Sequence, residues 1–363
     1  MVNHSIAIGL ETGRTSLKML SLASYHRLRD YGTHSHYRLC AISRASGILK
    51  NYRNLSGKHR VKVPYCRRIG LTICYGVKVK DDTLILPGGF RIRLNNYVLT
   101  TLRQPSIKVR SATLSSSRLS ISFSREVELI EPKGCIGIDS NLDNVTAVDS
   151  LGNTIVHDLS RANRAKAAAR YTVSRFRRDD HRVKRRIAGK YGRIQRNRTG
   201  WTLHNTTKKL VKHAKENGLY TVLERLNGIR RLYRKGNGQG RYYRGRMNMW
   251  SYYEIDRQLS YKLSWEGLPI SHVNPRGTSS KCSVCGDRLV FSKESRTLRC
   301  PTCSIHVDRD VNAARNIMNA GLRFSLSGLS VEAVKRNPTT TVIPGVDDSQ
   351  PSREMLSVEQ LKT

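Results

Sequence analysis

The chain has 363 residues, with 65 Lys and Arg against 27 Asp and Glu, a formal net charge of +38. That imbalance exceeds what solubility needs and points to a polyanionic partner. At 38% hydrophobic the chain can bury sizeable cores, enough for two or three domains, and no apolar run nears the roughly 18 residues that span a bilayer, which excludes a helical membrane protein. The opening MVNHSIAIGLETG lacks a basic n-region and a small-residue cleavage site, so no signal peptide is expected and the expected compartment is the cytoplasm. The eight cysteines are therefore expected as thiols or metal ligands rather than disulfides.

In chain order, residues 1–60 read as a small helical region, with Cys40, Ala41, Ala45, Ile48, Leu49 and Tyr52 at helical spacing between His36 and Tyr52. From 61 to 131 the period changes: GLTICYG, VKVK, TLILP, FRIRL, IKVR and LSISFS are short β-prone runs, broken by Asp81-Asp82 and Gly88-Gly89, as in an antiparallel barrel or sandwich. CIGID, VTAVD and TIVHD then predict a β-meander. Long helices are expected between Asp158 and Asn217, with Phe176, Val183, Ile187, Tyr191 and Ile194 as an apolar stripe and Asn217-Gly218 as the stop. LYTVLE reads as a buried strand ending in an acid. The Gly- and Arg-rich run 230–246 reads as a mobile loop, followed by a helix over Tyr252–Glu266, a strand at PISHV, a cysteine-rich insert and a helix from Arg309 to Asn319. Residues 321–363 lack periodicity and are expected as a disordered tail.

Three constellations carry chemistry. Cys282, Cys285, Cys300 and Cys303 follow the spacing C-x2-C-x14-C-x2-C, two knuckles that close the four-thiolate shell of a structural zinc and leave no open position for catalysis. Cys40, Cys66, Cys74 and Cys135 lie in helix- or strand-like runs and read as core residues. Asp139, Glu224 and Asp310 each stand where an element ends or begins; carboxylates converging at a sheet edge can bind two divalent ions for phosphodiester hydrolysis, although each acid alone also reads as a turn, surface or cap residue. Asp143 and Asp149 read as hairpin residues. Finally, Arg161, Arg164 and Arg170 lead into the denser series Arg175, Arg177, Arg178, Arg182, Lys184, Arg185, Arg186 and Lys190, with too few acids to balance it, which reads as a phosphate-binding surface. Tyr233, Tyr242 and Tyr243, set among arginines and glycines, are candidates to stack on bases.

These segments resemble TnpB, the transposon-associated RNA-guided nuclease family related to the type V CRISPR effectors. GCIGIDSNLDNVTAV is similar to the first RuvC motif and YTVLERLNGI to the second. MWSYYEIDRQLSYKLSWEGLPISHVNPRGTSSKCSVCG with CPTCSIHVDRDVNAARNIM is similar to the zinc insert and third motif, so the likeness spans about residues 134–320. The first motif reads Asp139-Ser140-Asn141 where the family often has Leu-Gly after the acid. The resemblance implies an α/β fold with an added β-barrel: a helical recognition-like region at 1–60, a wedge-like β-barrel domain at 61–131, and an RNase H-like (RuvC) nuclease domain. The last would comprise 132–277, including basic helices 158–217, and a final helix at 306–320, with a zinc-ribbon insert at 278–305 and the tail at 321–363. It further implies an RNA-guided DNA endonuclease in which a guide RNA pairs with target DNA beside a short flanking motif. Asp139, Glu224 and Asp310 would hold two catalytic Mg²⁺, with Asp308 the alternative third acid, and the protein would act as a monomeric ribonucleoprotein with one structural Zn²⁺. The residues alone leave two other readings open: a nucleic-acid-binding repressor or accessory transposition factor with an idle site, and a structure-specific resolvase that needs no guide.

Overall fold

A computed structural model describes residues 1–57, 60–67, 70–176, 180–291, 296–326 and 356–357. The chain divides into two units, Met1–Glu126 with Ile343–Thr363, and Val127–Val342.

In the first unit, α1 (Val2–Glu11) and α2 (Leu17–Ser24) precede α3 (Ser35–Ser56). Ala41, Ile42, Ala45 and Leu49 of α3 are buried with Ile6 and Leu20. Gly9 permits the close approach of α1, since a Cβ there would lie 2.3 Å from Leu49 Cδ1. Only α3 has a visible helical period; α1 and α2 are held by this packing and, for α2, by Ser16, whose hydroxyl accepts from the Met19 amide. There follow β1 (Gly70–Ile73), β2 (Lys78–Lys80), β3 (Thr83–Ile85), β4 (Arg91–Arg93), α4 (Asn96–Leu102), β5 (Ile107–Ser115) and β6 (Arg118–Arg125).

The expected barrel is replaced by two sheets. β1, β5 and β6 form an antiparallel sheet, edged by Leu356–Ser357, while β2, β3 and β4 form a separate meander. Ile73, Leu84, Leu86, Leu99, Ala112 and Leu119 share one core, yet no described strand pair joins the sheets. Strands of three residues span only about 10 Å, too little to wrap and close a barrel, and α4 interrupts the series. Apart from residues 321–326 and 356–357, the tail expected at 321–363 lies outside the described residues.

The second unit is built on β7 (Gly134–Ser140), β8 (Asn144–Asp149), β9 (Thr154–Asp158), α5 (Ser160–Ser174), α6 (His181–Glu216), β10 (Leu219–Glu224), α7 (Arg241–Met247), α8 (Tyr252–Trp265), β11 (Ile270–Val273), β12 (Val290–Phe291), β13 (Thr297–Arg299), β14 (His306–Asp308) and α9 (Arg309–Leu326). The main sheet runs β11-β10-β7-β8-β9, with β7 to β9 antiparallel and β10 parallel to both β7 and β11. Both faces of β7 and β10 are covered, which explains their nearly unbroken apolar runs. Ile136, Ile138, Leu219 and Leu223 pack with Leu203 and Leu210 of α6 and Ile255 and Leu259 of α8. Cys135, Tyr220 and Val222 face the opposite way, onto Ile317 of α9.

Three expectations change here. The run 230–246 is not a structureless loop: it holds a 3-10 turn at Ile229–Tyr233 and α7. The last helix continues past Asn319 to Leu326. The stripe from Phe176 to Ile194 is not a core seam, because Val183 is exposed, Ile187, Tyr191 and Ile194 are half-buried, and Phe176 lies outside both helices.

Candidate active site

Alternation along β7 and β10 puts Asp139 and Glu224 on the α9 face, at the carboxyl ends of neighbouring parallel strands where Leu223 pairs with Ile138. Gly137 lets α9 reach that face, since a Cβ there would sit 2.3 Å from both the Ala314 carbonyl and the Met318 amide. The approach brings in Asp310 in the first turn of α9. The hairpin turn after β7 ties two of the acids together: Asn141 Nδ2 donates to Asp139 Oδ2 at 2.8 Å and to Asn144 Oδ1 at 3.2 Å, and Asn144 Nδ2 donates to Asp310 Oδ2 at 2.9 Å. Thr278 Oγ1 donates to Glu224 Oε1 at 2.5 Å, and the Arg296 guanidinium pairs with Asp310. Asp308 instead caps α9, where its Oδ1 accepts from the amides of Asp310 and Val311.

Burial above all, then the Glu224 carboxylate and more weakly Asp310, push the Asp139 carboxyl up to about 7, against lowering contributions from the Asn141 amide and the Arg309 charge. Burial likewise raises Glu224, partly offset by the Thr278 hydroxyl. Buried carboxylates that repel one another supply hard oxygen donors, the kind that divalent cations of the magnesium type take.

The sulfurs of Cys282, Cys285, Cys300 and Cys303 lie within 4.8 Å of one another, with Cys282 to Cys303 at 3.6 Å and Cys285 to Cys300 at 3.3 Å. A tetrahedron with zinc–sulfur bonds of about 2.3 Å has edges of about 3.8 Å, so the cluster fits zinc. The short sheet β12-β13-β14 carries the second knuckle, and α9 clamps the first through one helical face. Asn312 Nδ2 donates to the Lys281 carbonyl, Asn316 Nδ2 to those of Thr278 and Lys281, and Asn319 Nδ2 to that of Ser283.

Of the basic series, Arg175, Arg182, Arg185, Arg186 and Lys190 are exposed and Lys184 is half-buried; Arg177 and Arg178 lie outside the described residues. α6 has 36 residues, about 54 Å at 1.5 Å per residue, but its buried positions run only from Thr199 to Ala214. The preceding stretch His181–Arg198 contains no acid and adds Arg193, Arg196 and Arg198 to the exposed cations. Tyr233 is buried beneath Tyr243, with ring centroids 6.2 Å apart, and is not free to stack on a base, whereas Tyr242 is 81% exposed. Sequence reasoning missed Asn141, Asn144, Thr278 and Arg296, because Asn-rich turns and isolated Thr or Arg residues carry no spacing signature.

The observations define a mixed α/β protein of several sheets, with a four-cysteine ribbon beside a cluster of acids at the sheet end. The Cas12f1-like TNB domain family matches residues 252–317, the segment holding α8, the ribbon and the start of α9. The TnpB-like protein MJ0751 of Methanocaldococcus jannaschii is 26% identical over 220 residues, 58% of this chain and 78% of that protein. The CRISPR-associated endodeoxyribonuclease Cas12f1 of Sulfoacidibacillus thermotolerans is 32% identical over 69 residues, 19% of this chain and only 16% of that protein. In fold, the chain is similar to Cas12f1 in a cryo-EM structure of a Cas12f1–sgRNA–target DNA complex, with a TM-score of 0.57 at 14% identity, covering 88% of this chain and 80% of that one. The chain is thus similar to TnpB-like and Cas12f proteins, in sequence over part of its length and in fold over most of it.

Proposed function

We propose that this chain is an RNA-guided DNA endonuclease with a RuvC-like site. The observation that carries the reading is the gathering of Asp139, Glu224 and Asp310, from two parallel strands and a helix start, at one sheet end. These residues would hold two Mg²⁺ ions, which when bound supply the Lewis acidity for phosphodiester hydrolysis. Asn141 and Asn144 orient Asp139 and Asp310, and Thr278 orients Glu224. Residues 132–277 and 306–320 serve as the nuclease domain and 278–305 as its zinc ribbon, while 1–60 and 61–131 read the short flanking motif. The acid-free half of α6 supports a duplex held by its phosphates, and base pairing with a guide RNA then supplies the sequence specificity that side chains do not. Relatives named as RNA-guided or CRISPR-associated DNA nucleases support the same reading. The partners are a guide RNA and a DNA target, in a monomeric ribonucleoprotein.

The test is to purify the full chain from its expressing host, sequence the RNA that accompanies it, and offer DNA matched or unmatched to that RNA in Mg²⁺. Cleavage of matched DNA alone, lost in Asp139→Ala, is the expected result. Equal cutting of unmatched DNA by RNA-free protein would replace this reading with a guide-independent resolvase, and binding without cutting would replace it with a repressor.

A further inference from the structure

A cleft opens on the other side of the sheet end that carries the acids. Ser140, the last residue of β7, and Leu223 of β10 form part of its floor; Asn227 and the first turn of α8, Tyr252 and Tyr253, form its walls, and Glu224 joins it to the acid cluster. The cleft thus stands at the carboxyl ends of two parallel strands, where α/β sheets bind ligands.

Its chemistry selects the ligand. None of the lining residues is Lys or Arg, so the cleft does not suit a phosphate. It offers instead an apolar floor, two aromatic rings, the uncharged groups of Ser140 and Asn227, and the carboxylates of Glu224 and Asp256, of which Asp256 is already engaged by Ser260 Oγ and lies 2.9 Å from His272 Nε2. Tyr253 is 65% exposed, and Tyr252 has the Arg230 guanidinium 5.7 Å from its ring centroid. Ser140 is only 8% exposed, and its hydroxyl has no hydrogen-bond partner among the described residues. A buried hydroxyl left unpaired is rare and calls for a partner. The exposed Asn227 amide adds a donor and an acceptor. A flat ring with a polar edge fits this combination.

We infer that the cleft receives one nucleobase of the DNA strand being cut, from the nucleotide adjoining the scissile phosphate. Tyr253 stacks on its face, and Asn227 and Ser140 take its edge. A strand whose phosphate lies at Asp139 and Glu224 passes directly over the cleft, because both sites share the ends of β7 and β10. The inference rests on the nuclease reading and adds a positioning role for residues outside the acid cluster.

The experiment uses the full-length protein with its copurified RNA and matched DNA carrying single 2-aminopurine substitutions scanned across the cut position. Ca²⁺ replaces Mg²⁺ for the binding measurements. Stacking should quench the fluorescence severalfold at one position adjoining the cut. Tyr253→Ala should abolish that quench and raise KM for DNA by about tenfold. Tyr253→Phe should keep the quench, since the ring and not the hydroxyl stacks, and both variants should retain zinc content and melting temperature. Asn227→Ala should weaken the quench. Matched DNA cut at a defined place with no position-specific quench, or a quench unchanged in Tyr253→Ala, would overturn the inference and leave the nuclease reading standing. Failure to cut matched DNA in Mg²⁺ would overturn both.

Discussion

At the residue scale, the structure separates acids that read alike in sequence. Asp149, expected as a simple hairpin residue, has its side chain fully buried, 2.7 Å from His213 Nε2 of α6, and accepts from the amides of Leu151 and Asn153 and from Asn153 Nδ2. Burial pushes its carboxyl up, but these donors more than offset it and hold the group below its ordinary value. A depressed folded-state value means the stabilisation is fully present above about pH 4 and is lost as the pH falls through the folded-state value. Asp149→Ala should therefore cost about 2–4 kcal/mol at pH 7, and the gap to wild type should narrow as the pH falls below the ordinary carboxylate range. Denaturant melts in the two pH regimes check this, and a gap independent of pH would refute it. The acids at the sheet end behave differently, since burial disfavours the charge of Asp139 and Glu224. Alanine at Asp139, Glu224 or Asp310 should cut DNA cleavage by about a thousandfold or more, while RNA and DNA binding in a gel-shift assay stays near wild type. Asp308→Ala removes a helix cap, worth about 1 kcal/mol, and should leave most activity. The reverse pattern would move the third ligand from Asp310 to Asp308.

At the element scale, the acids depend on how closely α9 lies on β7. Gly137→Ala puts a methyl where backbone already stands, so α9 must move; we expect a loss of about 1–3 kcal/mol together with reduced cleavage, measured by thermal melts and by activity well below the melting point. The four-cysteine ribbon belongs to the same assembly, because Asn312, Asn316 and Asn319 tie its first knuckle to α9, and Thr278 and Arg296 reach Glu224 and Asp310. Cys282→Ser or Cys300→Ser should abolish the single bound zinc in elemental analysis and depress cleavage as well, since metal binding supplies the ribbon's folding free energy. Protein that binds no zinc yet melts normally would contradict this. The ribbon and the strand-end acids were legible in sequence because their spacing and burial patterns are local. The asparagine bridge between Asp139 and Asp310 was not, because its Asn144–Asp310 contact joins residues 166 positions apart and exists only once α9 is docked. The β region was read as strands with barrel and sandwich both left open: an alternating pattern marks which residues face inward, and says nothing about which strand edges meet.

At the scale of the whole molecule, a net charge of +38 must be distributed, and α6 displays part of it without acidic neighbours. Its first half stands clear of the packed core, so replacing its cations tests nucleic-acid binding with little effect on stability. Each phosphate contact on duplex DNA contributes about 0.9 to the slope of log K against log salt. Changing Arg182, Arg185, Arg186 and Lys190 together to Glu should therefore reduce that slope by up to about 3–4 for a protein that uses all four. The loss should be uniform across guide and target sequences, because phosphate contacts carry no sequence information. Mismatches between guide and target should act in the opposite way, changing affinity with position along the duplex while leaving the salt slope almost unaltered. Filter binding over a series of salt concentrations, with matched and mismatched targets for both proteins, separates the two contributions. A quadruple variant with the wild-type slope would mean that the phosphates lie on another surface, and sequence-dependent losses would mean that this helix reads bases.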